Sequence, residues 1–175
     1  FDDAGYDAVL DKEALYRRCA ELGVPYPETH SLGDLAPEAA ADRLGYPFLL
    51  KPARKREGEA VLGTNVLEVD DEDELASVVA TAEDADLRLL LQERVEVAVG
   101  EDRSLASYVP PAEESGSGRI EGGTERVEGD TDRAVGVVGN AAVRFPPGYG
   151  TSCVVRRTRG ETVRERGLAV LDDAG

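Results

Sequence analysis

The stretch Tyr46-Pro47-Phe48-Leu49-Leu50-Lys51-Pro52 constrains this chain more than any other. Its apolar run is short, which reads as a strand over 48–52, and it ends on a lysine followed at once by proline. Lysine is scarce: Lys12, Lys51 and Lys55 are the three lysines of a chain that carries 36 acidic residues. A lysine at a strand end has two readings. Its compact ammonium on a flexible stem can follow a phosphate as a point charge while the strand fixes where the stem begins. Alternatively, the side chain snorkels from an apolar strand to water. We read Lys51 as a phosphate-binding residue.

Composition bounds the rest. The 175 residues suffice for one domain or two small ones, and 41% hydrophobic content can build a core. A net charge of −16 repels nucleic acid and anionic lipid, so neither is expected as a partner. The acids recur through the helices rather than in a tail, and arginine stands almost everywhere in place of lysine. That pattern resembles proteins of salt-loving cytoplasms, where salt screens self-repulsion and hydrated carboxylates keep a surface soluble. The two cysteines, Cys19 and Cys153, are far apart, and His30 is the lone histidine, which supports neither a disulfide framework nor a thiolate-histidine metal site. Two buried thiols in a reducing cytoplasm are expected. No apolar run approaches the roughly 18 residues of a membrane span. With no methionine and Phe1 in first position, the sequence reads as a piece of a longer product.

Residues 1–10 read as a connection. Asp11 is an N-cap for a helix through about Leu22, with Leu15, Cys19 and Leu22 at helical spacing, Gly23 as its stop and Lys12 in its first turn. Gly23 to Thr29 holds two prolines and is extended. A helix over about 37–44 has Pro37 at its start and Gly45 at its end. After the strand at 48–52, residues 53–63 are expected to be a loop and Thr64 to Val69 a second strand, together a β-hairpin with a long tip carrying Arg54, Lys55, Arg56, Gly58 and Gly63. Asp71 and Glu74 have capping-box spacing and open an acidic helix to about Ala82, with Leu75, Val78 and Val79 as its apolar face. Leu87 to Gln92 is a strand. Further strands are expected at 104–109, 134–145 and 152–157, a mobile loop at 112–132, a turn at 146–150, and a helix at 161–173 that Gly167 weakens.

Taken in order, these features resemble the ATP-grasp superfamily, specifically carboxylate-amine ligases and the carbamoyl-phosphate synthase large subunit. The likeness runs from Asp11 onward. It is carried by Asp11-Lys12 opening a helix, by Leu22 to Thr29 after it, by Gly45 to Pro52, by the acidic helix with Glu74-Leu75, and by Leu90-Leu91-Gln92-Glu93-Arg94-Val95. The resemblance implies an α+β fold: a connection and leading helix over 1–23, an ATP-grasp lid subdomain over 24–92, and the start of the catalytic subdomain over 93–175.

It also implies roles. Lys12 and Lys51 would approach the phosphates of ATP. Gln92, Glu93, Arg94 and Val95 would form the hinge that meets adenine, through backbone groups and the Glu93 carboxylate, with Val95 on the base. Glu101 or Asp102 would accept the ribose hydroxyls. Arg144 resembles the arginine that such enzymes place over an acyl phosphate, where a guanidinium fork fits planar oxyanions. The tip at 53–63 would be the phosphate-covering loop, although it departs from the glycine-rich form. Magnesium ligands would lie beyond residue 175. The implied activity is activation of a carboxylate by ATP and its transfer to an amine, in a high-salt cytoplasm, with this stretch by itself not turning over. The competing reading is a nucleotide-binding or interaction module that keeps the fold without the chemistry.

Overall fold

The computed structural model describes residues 10–97, 101–108, 134–145 and 151–173. The expected mobile loop at 112–132 and turn at 146–150 lie outside them. The chain divides into two compact units, one within residues 1–96 and the other within 97–173.

The first unit begins with α1, Lys12–Glu21. Asp11 caps it: its carboxylate accepts from the backbone N–H groups of Glu13, at 3.0 Å, and Ala14, at 3.3 Å. Then follow β1 (Thr29–Ser31), α2 (Pro37–Leu44), β2 (Phe48–Pro52), α3 (Lys55–Leu62), β3 (Leu67–Val69), α4 (Glu72–Asp84) and β4 (Leu89–Glu93). The four strands make one antiparallel sheet in the order β1-β4-β2-β3. Alternation along β2 and β4 sorts the side chains. Phe48, Leu50 and Leu91 join Val69, Leu75, Val79 and Ala40 in the main core, between the sheet and helices α2 and α4. The residues between them, Leu49, Lys51 and Gln92, belong to the opposite face of the sheet.

Two expectations for this unit fail. Residues 55–62 are a helix, not a loop at a hairpin tip. Lys, Arg, Glu, Ala and Leu all favour helix, against Gly58 and, more weakly, Val61. Lys55 and Glu59 pair at helical spacing, 3.5 Å apart, and Gly63 ends the helix in the left-handed region at φ 71°. The strand expected from Thr64 starts at Leu67 instead, although it does pair with β2. The Thr64 hydroxyl accepts from the Val66 N–H at 3.3 Å, a local turn that competes with the ladder. Gly58 has its own purpose: a Cβ there would overlap the ring of Pro52. Gly58→Ala is therefore expected to destabilise the protein. Overpacking costs about 1–3 kcal/mol, against about 1 kcal/mol gained in helix propensity; urea unfolding would measure the net loss.

The second unit is the antiparallel sheet β5 (Arg103–Tyr108), β6 (Val135–Phe145) and β7 (Thr151–Arg157), in that order, with α5 (Glu161–Asp173) against it. Gly167 lets α5 approach closely, because a Cβ there would meet Leu105. Cys153, on β7, is exposed, so only Cys19 is the buried thiol that was expected of both. β7 faces solvent along much of its length, with Val154 and Val155 exposed on either side of the alternation. Among the described residues, no helix is long and apolar enough to cross a membrane.

Candidate functional site

Strand β2 carries Lys51 at the centre of the first sheet, flanked by β4 and β3. The Lys51 ammonium donates to the side-chain oxygen of Gln92 on β4. Lys12 comes from the first turn of α1, and its ammonium donates to the carbonyl of Pro52, the next residue along β2, at 2.9 Å. Backbone bonds lock this junction. The Lys12 N–H donates to the Ala53 carbonyl at 3.0 Å, and the Ala53 N–H to the Arg88 carbonyl at 2.9 Å. Both lysines thus hang on one strand end although they lie 39 positions apart in the sequence.

Burial lowers the pKa of both ammoniums. For Lys51 the neighbouring charge of Lys12 adds to the effect. For Lys12, Asp11 opposes burial and Lys55 reinforces it. Asp11 is itself buried, which alone would raise its pKa. The Arg88 guanidinium and the cap N–H groups outweigh that and leave the carboxyl below its ordinary value. Arg88 also reaches Glu13 at 3.2 Å, and Arg54 lies 3.7 Å from Asp11. The carboxylate beside Lys12 is therefore already matched by arginines, and each lysine donates to an uncharged oxygen. Such a pair can receive an anion.

The other residues singled out by sequence fall as follows. Gln92 and Glu93 lie within the β4 ladder, and Arg94 and Val95 follow its end. The Glu93 carboxylate accepts from the Glu28 N–H at 2.8 Å. Arg94 pairs with Glu68 at 3.1 Å and Glu96 at 3.6 Å, and Val95 is half exposed. In the second unit Glu101 is exposed, and the Arg144 guanidinium is held by the Asp102 carboxylate, with Nε at 2.8 Å. Among the described residues, no three His, Cys, Asp or Glu side chains converge as a metal cage would need.

Sequence reasoning missed the Asp11–Arg88 pair and the side-chain role of Gln92. Asp11 and Gln92 are the buried polar side chains among the described residues. A Gln in an otherwise apolar strand was the signal for one of them, since a buried amide must find partners. Arg88, just before the Leu89 strand, carried no such mark.

No family model and no curated protein matches the chain. Solved structures do. D-alanine–D-alanine ligase from Bacillus anthracis complexed with ATP superposes with a TM-score of 0.61 at 16% identity, over 98% of this chain and 48% of that one. The RimK domain protein ATP-grasp from Sphaerobacter thermophilus gives 0.58 at 16% identity, over 98% and 53%. L-amino acid ligase from Bacillus licheniformis gives 0.56 at 14% identity, over 98% and 35%. The chain thus spans about half the length of the first two. At such low identity it is the course of the backbone that is shared, and on that ground this chain has the ATP-grasp fold.

Proposed function

We propose that this chain is the ATP-binding part of a ligase that activates a carboxylate as an acyl phosphate and joins it to an amine. One observation carries the reading: Lys12 and Lys51, two partly buried ammoniums, meet at the end of a central strand of this fold and, among the described residues, are bonded to uncharged oxygens. Two cations held this way repel one another until an anion arrives, and the phosphates of a nucleotide supply that charge. A ligase with the same fold was solved with ATP.

In this reading Lys12 and Lys51 steady the phosphates. The backbone of Arg94 and Val95, past the end of the ladder, reads the adenine edge with Glu93, and Glu101 or Asp102 takes the ribose hydroxyls. Arg144, paired with Asp102, supplies the guanidinium for the charge that develops as the phosphoryl group passes to the carboxylate. Residues 24–92 act as the lid and residues 93–175 as the start of the catalytic subdomain. The setting is a concentrated-salt cytoplasm.

Calorimetric titration of Mg-ATP into the 175-residue chain at molar KCl tests the nucleotide. Saturable binding at one site per chain is expected, and no heat from correctly folded protein would overturn it. Release of ADP by the longer protein, dependent on both an amine and a carboxylate, tests the ligase chemistry.

A further inference from the structure

Lys51 does not reach its position by strand geometry alone. The residue that receives its ammonium, Gln92, is 1% exposed and is bonded at both ends of its amide. The Gln92 side-chain nitrogen is 2.7 Å from the Thr29 hydroxyl oxygen. That hydroxyl lies 2.7 Å from the Pro27 carbonyl, which can only accept. The single Thr29 proton therefore points at Pro27, and its oxygen faces Gln92 as an acceptor. Gln92 must turn its NH2 toward Thr29 and its carbonyl toward Lys51, whose ammonium has only protons to offer. The order Pro27, Thr29, Gln92, Lys51 admits one arrangement of hydrogens, and a flipped amide would set donor against donor at the lysine.

Strand register makes the chain possible. Thr29 on β1 is paired with Gln92 on β4, and Gln92 is paired with Leu49 on β2, two residues from Lys51 and on the same face. Three adjacent strands thus each contribute one polar side chain to a line across the sheet. No carboxylate interrupts it, so the ammonium keeps its charge for a ligand. A Glu in place of Gln92 would hold the lysine equally well but neutralise it.

We propose that Gln92 is a positioning residue for Lys51, its amide fixed in one orientation by Thr29, so that the ammonium is presented to an incoming phosphate rather than swung out to solvent. The aim toward phosphate rests on the nucleotide reading above; the positioning itself does not. Burial and the charge of Lys12 both work against the ammonium, and the Gln92 carbonyl is the side-chain oxygen that accepts from it.

The test uses the scarcity of lysine. With three lysines in the chain, 15N-labelled Nζ signals can be assigned by single substitutions, and the Lys51 titration followed directly. Gln92→Leu, an apolar replacement at a buried position, is expected to lower the Lys51 pKa further and to weaken Mg-ATP binding at least tenfold. Thr29→Val is expected to shift both in the same direction by less. The double variant should match Gln92→Leu to within about twofold, because Thr29 acts only through the amide. Gln92→Glu should raise the Lys51 pKa. An unmoved Lys51 titration in Gln92→Leu, or effects of Thr29→Val and Gln92→Leu that multiply, would overturn the positioning role. Absence of Mg-ATP binding in the unsubstituted chain would instead overturn the nucleotide reading, and the titration would still decide the role of Gln92.

Discussion

Lys51→Ala is expected to weaken Mg-ATP binding by about 10- to 150-fold. A hydrogen bond to a charged group contributes about 1.5–3 kcal/mol, and each 1.4 kcal/mol is tenfold in affinity. Calorimetry at molar KCl would measure it beside Arg17→Ala, an exposed arginine on α1 that removes the same formal charge from the surface. The arginine variant should bind as the parent does. The pH dependence adds a second readout. Burial and the charge of Lys12 hold the Lys51 pKa below the ordinary 10.5. Only the protonated ammonium attracts phosphate, so affinity should be level near neutral pH and fall as pH rises, in a range below that of a free lysine. Lys51→Ala should flatten this fall to the part that belongs to Lys12. Equal affinities for parent and Lys51→Ala would remove Lys51 from the site.

The second large effect is structural. Phe48→Ala should cost about 3–5 kcal/mol, the usual range for emptying a fully buried aromatic site, out of the roughly 5–15 kcal/mol that holds a domain together. Phe48 has no exposed surface, stacks on Tyr46 with ring centroids 5.1 Å apart, and packs with Leu50 and Leu91 where β2 meets β4. Its loss opens a cavity at the middle of the strand that carries Lys51. Denaturant unfolding should show the early loss of the first unit, and nucleotide binding should go with it. Val154→Ala, on the exposed part of β7, is the control and should change stability by less than about 0.5 kcal/mol. A Phe48→Ala protein as stable as the parent would mean that the core has been placed wrongly.

Much of the fold was legible because its signals are local. Asp11 reaches N–H groups two and three residues on, and Asp71 caps the Glu74 N–H at 2.9 Å, so both helix starts could be read from neighbours in sequence. The capping box is displaced by one residue: the Glu74 carboxylate returns to the N–H of Asp70 rather than Asp71. Pro37 and Gly45 bound α2 for equally local reasons. The helix at 55–62 was legible too in the propensity of its own residues, but Gly58, Gly63 and the charged run between two apolar stretches read as the tip of a hairpin. The three-residue strand β1 is too short to show a period, and the extended stretch expected over Gly23 to Thr29 reached only its first residue.

That Lys51 would end a buried strand, that Lys12 would open a helix, and that the elements would follow one another in ATP-grasp order could all be read from neighbouring residues, since apolar run length, caps and breakers act within a few positions. What those lysines touch depends instead on contacts between residues far apart in the chain. Lys12 meets Pro52 across 40 positions, Lys51 meets Gln92 across 41, and Arg88 meets Asp11 across 77. Strand register and the docking of α1 on the end of β2 bring these groups together, and register belongs to the whole sheet: a slip of one residue would turn Lys51 into the core and Leu50 out of it.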